Sequence, residues 1–226
     1  EWFKDGFKPR HQWKVGTEHE KFAYTFSKEK KKYVPVSYHG PNGIQDFLTE
    51  ISNHGWVGIY EGQNIVALKK DSQSITLEPG GQVELSGAPL TNLHSTCKET
   101  GEHLNLLKMI GEKLGILLVG LGVRPNENID EVPLMPKARY NIMRNYMPSK
   151  GSKGLDMMHS TCTVQANLDY ESESDMIKKV RVAVKLQPII TALFANSPFF
   201  KGTLNGYESY RKHIWTDTDP DRCGIL

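Results

Sequence analysis

The alternation of apolar and polar positions changes period several times along the chain, and each change predicts an element. From Trp13 to Phe26 β-forming residues dominate, and Glu18 and Glu20 stand two apart, so in a strand both carboxylates point to one face. The run Lys28 to Lys32, flanked by aromatics, reads as a solvated hairpin tip or loop. Pro41-Asn42 opens a helix with Ile44, Phe47, Leu48 and Ile51 at helical spacing, closed by Gly55. Short strand-like runs follow: Trp56 to Tyr60, Ile65 to Lys69, Gln73 to Glu78 and Gln82 to Leu85. Turn chemistry such as Glu61-Gly62-Gln63-Asn64 and Pro79-Gly80-Gly81 separates them, the pattern of an antiparallel meander.

A second helix is expected from Leu93 to Leu114, with Leu93, Cys97, Leu104, Leu107 and Leu114 in an apolar stripe and Gly115 at its end. That stripe makes Cys97 a core-facing thiol. Ile116 to Gly122 reads as a buried strand, followed by an acidic, proline-bounded loop to Pro136 and a helix from Ala138 to Met147. Thr161 to Tyr170 alternates, with Thr161, Thr163, Gln165, Asn167 and Asp169 on a polar face and Cys162, Val164, Ala166, Leu168 and Tyr170 on an expected core face. Ser172 and Asp175 cap a long helix through Ile177, Val180, Val184, Leu193 and Phe194, which Pro188 is expected to kink. Strands mixed with helices in no βαβ rhythm predict an α+β fold, a mainly antiparallel sheet with flanking helices.

Composition narrows the function classes. With 28 Lys+Arg against 26 Asp+Glu, the net charge of +2 offers no global attraction for nucleic acid. The longest apolar stretch, Leu114 to Val123, falls short of the ~20 residues of a spanning helix, so no membrane segment is expected. Cys97, Cys162 and Cys223 lack C-x-x-C spacing and fit a reducing, intracellular compartment. Their predicted elements are distinct, so no two are expected to pair within the chain; Cys162 should be an inert buried thiol and Cys223 lie near the surface. A start at Glu1 rather than Met leads us to expect a fragment whose targeting peptide is not included.

Candidate chemistry falls into two sets. Glu18, Glu20, Glu78 and Glu84 lie on predicted strands close to turns, where they form either a solvated face or a convergent set of hard oxygen ligands for a divalent cation. Arg139, Arg144 and Arg211 supply guanidinium forks suited to a small dicarboxylate, and the polar face of the Thr161 to Asp169 strand adds neutral donors and acceptors. Other motifs fail. No phosphate loop is present, Gly120-Leu121-Gly122 lacks the third glycine of a dinucleotide fingerprint, and Asp217, Asp219 and Asp221 lose EF-hand character at Pro220 and Arg222. No thiol, serine or histidine grouping argues for covalent catalysis.

Longer segments carry a resemblance: Trp13–Phe22 (WKVGTEHEKF), Leu77–Leu90 (LEPGGQVELSGAPL), Met135–Tyr140 (MPKARY), Ile142–Pro148 (IMRNYMP), Thr161–Asp169 (TCTVQANLD), Gln187-Pro188, Leu193–Pro198 (LFANSP) and His213–Asp219 (HIWTDTD). In this order they resemble the glutamate–cysteine ligases of the plant and proteobacterial type, across nearly the whole chain. Departures lie in Lys28 to Tyr38 and at Lys153, His159 and Cys223, outside both site sets. The resemblance implies a sheet similar to that of glutamine synthetase and places residues 1–226 in the N-terminal part of a single catalytic domain whose C-terminal portion is absent. It implies ATP-dependent joining of glutamate's γ-carboxylate to the amine of cysteine, the first step to glutathione, in cytoplasm or plastid.

By the same resemblance, Glu18, Glu20, Glu78 and Glu84 hold Mg²⁺, Gln165 and Asn167 lie near the nucleotide, and Arg139 and Arg211 hold glutamate's carboxylates. Arg144 is a weaker candidate for phosphate or a neighbouring acid. The plant members' disulfide control implies that Cys97 pairs with a cysteine of the missing portion, and a redox-dependent homodimer is among the implied assemblies. A related ligase feeding ergothioneine synthesis, or a silent regulatory protein on the same scaffold, would share these motifs.

Overall fold

A computed structural model describes residues 1–224 of the chain. The helices are α1 (Trp2–Asp5), α2 (Ile44–Ser52), α3 (Leu93–Leu114), α4 (Ala138–Tyr146), α5 (Gly154–Ser160), α6 (Glu173–Leu193) and α7 (Tyr210–Ile214). The strands are β1 (Val15–Ser27), β2 (Lys32–Pro35), β3 (Val57–Glu61), β4 (Asn64–Lys70), β5 (Gln73–Leu77), β6 (Val83–Ser86), β7 (Ile116–Val119), β8 (Val164–Leu168), β9 (Phe199–Phe200) and β10 (Thr203–Leu204). Eight of these strands form one sheet in the order β2-β1-β6-β5-β4-β3, with β7 and β8 also paired to β1, and every ladder is antiparallel. The α+β expectation and the meander are therefore borne out. Among the described residues no helix is long and apolar enough to cross a membrane.

The 13-residue β1 organises the sheet. Its first half pairs with β8 and β6, and its second half with β7 and β2. Because side chains alternate along each strand, one face of the meander collects Leu68, Ile75, Leu77, Val83 and Leu85, all fully buried beneath Ile44, Phe47, Leu48 and Ile51 of α2 and Leu107 and Ile110 of α3. Each such side chain stabilises the fold by roughly 1.5–3 kcal/mol through its removal from water. The opposite face carries the polar alternates along β5 and β6 and, further along β1, a second buried cluster of Phe22 and Tyr24 with Cys162.

Helix ends follow local chemistry. Asn92 Oδ1 accepts the Ser95 N–H at 2.9 Å to start α3, and Gly115, at φ 70°, ends it. Ser172 Oγ accepts the Asp175 N–H at 3.2 Å to start α6.

Two expectations are corrected. The buried face of α3 is Glu99, His103, Leu107, Ile110 and Gly111, while Leu93, Leu104 and Cys97 are exposed. Cys97 is therefore a surface thiol and not a core one. The helix is rotated because Glu99 Oε1 accepts the Ala88 N–H at 2.8 Å, which draws a carboxylate inward. Secondly, β8 is exposed on both faces, Val164 and Leu168 included, and of the expected core face Cys162 alone is buried. Among the described residues its one ladder partner is β1, and its five residues stay exposed. Helix α6 includes Pro188 within its span, and none of its residues is buried. Its apolar side chains have too few neighbours within the chain to remove them from water. All three cysteines are free, Cys162 buried and Cys223 intermediate, as expected.

Candidate functional site

Strand register gathers the carboxylates on the sheet face opposite α2 and α3. Glu20 lies across from Glu84 on β6, Glu18 across from Ser86 on β6 and Gln165 on β8, and Thr76 of β5 across from Glu84. Glu78 opens the turn after β5, closed by Glu78 N–H donating to the Gln82 carbonyl at 2.9 Å and Gly81 N–H to the Glu78 carbonyl at 2.9 Å. His19 and Lys21 alternate onto the helix-covered face beside Leu85 and Val83.

The four glutamates have different company. Glu18 accepts Gln165 Nε2 at 2.5 Å and Asn167 Nδ2 at 2.9 Å, so the amides expected near a nucleotide are here joined to a carboxylate. Glu20 accepts the Thr163 N–H at 2.9 Å, and Glu84 accepts the hydroxyls of Ser86 and Thr76. Burial and the negative charges of Glu84 and Glu78 push the Glu20 carboxyl up to about 7. Burial and Glu84 likewise raise Glu78, against the pull of Lys137 and Arg139. Three mutually repelling carboxylates with hard oxygen donors suit a divalent cation in character. Even so, no three His, Cys, Asp or Glu side chains among the described residues are gathered closely enough to cage a metal.

The arginines divide. Arg211 lies with Glu20, Glu78 and Gln165 along a cavity of about 160 Å³, walled by Met143, Met157, Met158 and Trp215. Its backbone N–H donates to Ser197 Oγ at 3.1 Å, its Nε is buried without a partner, and Glu20 supplies it with a nearby negative charge. Arg139 is exposed, its Nη2 at 3.8 Å from Glu78 and donating to the Tyr140 hydroxyl at 3.2 Å. It is aimed by the start of α4, where Lys137 Nζ donates to the Leu77 carbonyl at 2.7 Å and the Tyr140 hydroxyl to that same carbonyl.

Arg144 stands apart. Its Nη1 is 3.4 Å from Nε2 of His159, whose ring is held neutral by burial and two arginine charges, with a pKa lowered to about 4. A larger cavity of about 460 Å³ between Trp13, Leu90, Leu93 and Leu168 contains one carboxylate, Asp169, already bound by Lys8 Nζ and the Lys14 N–H. It lacks the grouped charges of the sheet site.

Sequence reasoning missed Lys137, Gln82 and Trp215 as parts of this neighbourhood. All three lie inside the quoted segments, but a buried lysine donating to a backbone carbonyl has no sequence signature.

Carboxylates on an antiparallel sheet thus share one neighbourhood with two guanidinium groups, Arg211 on the cavity and Arg139 beside Glu78. Residues 14–226 match the model of glutamate-cysteine ligase family 2 (GCS2), and the chain belongs to that family. It is 53% identical over 222 residues to glutamate–cysteine ligase A, chloroplastic, of Oryza sativa subsp. japonica, covering 98% of this chain and 44% of the relative. Identity to the chloroplastic glutamate–cysteine ligase of Nicotiana tabacum is 53% over 222 residues, covering 98% and 41%. For that of Medicago truncatula it is 50% over 227 residues, covering 100% and 43%. The chain thus spans less than half the length of these curated relatives.

Proposed function

We propose that this chain forms the N-terminal part of a glutamate–cysteine ligase catalytic domain, on a sheet similar to that of glutamine synthetase. The reaction joins L-glutamate, through its γ-carboxylate, to the amine of L-cysteine with ATP cleaved to ADP and phosphate, the first step of glutathione biosynthesis. The observation that carries this reading is the pairing of Glu20 with Glu84 across the β1–β6 ladder, with Glu78 and Arg211 on the same cavity.

The reaction needs no enzyme nucleophile. A γ-carboxylate oxygen of glutamate attacks the γ-phosphorus of ATP and ADP leaves; the cysteine amine then attacks the acyl phosphate carbonyl, and phosphate leaves. Arg139 and Arg211 bind glutamate's carboxylates, because a planar fork fixes both distance and orientation. Glu18, Glu20, Glu78 and Glu84 would hold Mg²⁺, which when bound neutralises charge developing on the transferred phosphoryl group. Gln165 and Asn167, at the outer end beside Glu18, face the nucleotide. Arg144, already against His159, serves phosphate or a neighbouring acid. Met143, Met157, Met158 and Trp215 exclude water from the inner end.

Partners are glutamate, cysteine and ATP, with neither nucleic acid nor membrane. The address is cytoplasm or plastid, and a redox-dependent homodimer is among the assemblies the family implies. ADP release by the full-length protein, measured with and without glutamate and cysteine, tests the reading: release dependent on both amino acids supports it, and release indifferent to them rejects it. Arg139→Lys should raise the glutamate KM or lower kcat by about ten-fold or more, since an ammonium cannot reproduce the fork.

A further inference from the structure

Among the described residues Arg124 is the largest fully buried side chain, and no carboxylate among them lies within ion-pairing distance of it. Burying a guanidinium without a carboxylate is costly, and an apolar side chain of similar volume would fill the space without that cost. Its surroundings are two ring faces, Phe22 with its centroid 4.3 Å away and Tyr24 at 5.3 Å. Its fork reaches two backbone carbonyls: Nη2 donates to Gly80 at 2.6 Å and Nε to His159 at 3.0 Å. Its own backbone N–H donates to the Ser160 carbonyl at 2.9 Å.

Those carbonyls belong to the two segments that end in the site. Gly80 is in the turn that begins with Glu78. His159 and Ser160 end α5, which leads to Thr163, whose N–H holds Glu20. Gln82 duplicates the link from the other side: its Oε1 accepts the Gly80 N–H at 2.9 Å, while its Nε2 donates to the Thr161 carbonyl at 2.8 Å and the Met158 carbonyl at 3.3 Å. The contact is close enough that a Cβ built on Gly80 would overlap the His159 carbonyl oxygen.

We propose that Arg124, with Gln82, is a positioning clamp that sets the separation of Glu78 from Glu20 by tying the turn of residues 78–82 to the segment of residues 158–163. The sheet joins the same two carboxylates through β5, β6 and β1, so the clamp closes a ring whose other side is the hydrogen-bond ladder. Without it, two repelling carboxylates on a turn and a strand are free to move apart, and a cation has to gather them again on binding. Arg124 touches neither substrate nor reacting atoms in this role. The inference rests on the proposed cation-binding role of Glu20, Glu78 and Glu84.

The test is Mn²⁺ affinity of the full-length protein, followed by loss of the free-ion paramagnetic resonance signal, with thermal melting recorded alongside. Arg124→Met and Arg124→Lys remove the fork. Gly80→Ala leaves Arg124 intact and pushes the two segments apart. Arg124→Met and Gly80→Ala should each weaken Mn²⁺ binding by about ten-fold or more in protein that remains folded, with Arg124→Lys falling between them and the parent. Lower melting temperatures with unchanged Mn²⁺ affinity in all three variants would overturn the clamp and leave the cation reading standing. A parent protein that binds no Mn²⁺ would reject the cation reading itself, and the clamp's purpose with it. If Arg124→Met fails to fold, Gly80→Ala decides between these outcomes.

Discussion

The two faces of one set of strands are built on opposite principles. On the face beneath α2 and α3, Ile75, Leu77, Val83 and Leu85 are fully buried in a dry apolar layer. One residue along, Thr76, Glu78 and Glu84 project to the other side, where Glu20 and Glu84 face each other and repel. The backbone is common to both, and along β5 and β6 the first face supplies the dry packing, while Phe22, Tyr24 and Cys162 form a separate buried cluster further along β1. That leaves the second face between them free to carry an arrangement that is unfavourable by itself and useful only with a cation or an anionic ligand.

The sharpest way to break this comparison uses neighbouring residues. Leu85→Ala should cost about 2–5 kcal/mol of unfolding free energy, measured by urea denaturation. Glu84→Gln should change stability by less than about 1 kcal/mol, in the stabilising direction at pH 8, because it removes a repelling charge. A loss at Glu84 as large as at Leu85 would mean that the carboxylate face also holds the fold.

Acid–base behaviour should carry opposite signs on the two faces. Glu20 titrates near 7 in the folded chain against an ordinary 4.5, so between those pH values the native state keeps a proton that the unfolded chain has released. Stability from this group is therefore full below pH 4.5 and falls as pH rises toward 7, by about 1.4 kcal/mol per unit of pKa difference before solvent screening reduces it. Glu78 adds a contribution of the same sign. Added Mg²⁺ should flatten this slope if the carboxylates bind it, which melting curves from pH 5 to 8 would register.

His103 gives the reverse sign from beneath the sheet. Burial and the charges of Lys21 and His19 lower its pKa from 6.5 to about 3, and neither ring nitrogen has a partner. The unfolded chain then takes up a proton that the native state refuses, so this group lowers stability as pH falls from 6.5 toward 3. His103→Leu should raise stability by about 1 kcal/mol at pH 7 and more at pH 5. Equal effects at both pH values would show that the imidazole is not held neutral by its surroundings.

The smallest effect concerns the thiols. Cys97→Ser should shift stability by no more than about 0.5 kcal/mol, as an exposed position allows. A thiol reagent should reach Cys97 in the native chain and Cys162 only after unfolding. Slow labelling of Cys97 would restore the core-facing orientation that its helical spacing suggests.

The strands, the turns between them and the ends of the helices were legible along the chain, because each depends on residues a few positions apart. Ser172 and Asn92 cap their helices, Gly115 supplies the left-handed end, and the parity of Glu18 with Glu20 survives intact in β1. Packing faces were read less well where polarity misleads. Helix α3 turns Glu99 and His103 inward and Cys97 outward, since a hydrogen bond to Ala88 and the alternates of β1 meet it there. The apolar residues of β8 and α6 stay open because nothing among the described residues comes to cover them.

The candidate site divides in the same way. Residue chemistry and family resemblance single out Glu18, Glu20, Glu78, Glu84, Arg139 and Arg211 one by one, since charge type and strand parity are properties of short segments. Only the tertiary structure decides that Glu20 faces Glu84, that Arg139 leans on Glu78 while Arg144 meets His159, and that a buried Arg124 binds the turn of one carboxylate to the segment holding another. Those relations join residues tens of positions apart. They depend on register and burial, which the whole chain sets at once and no local pattern records.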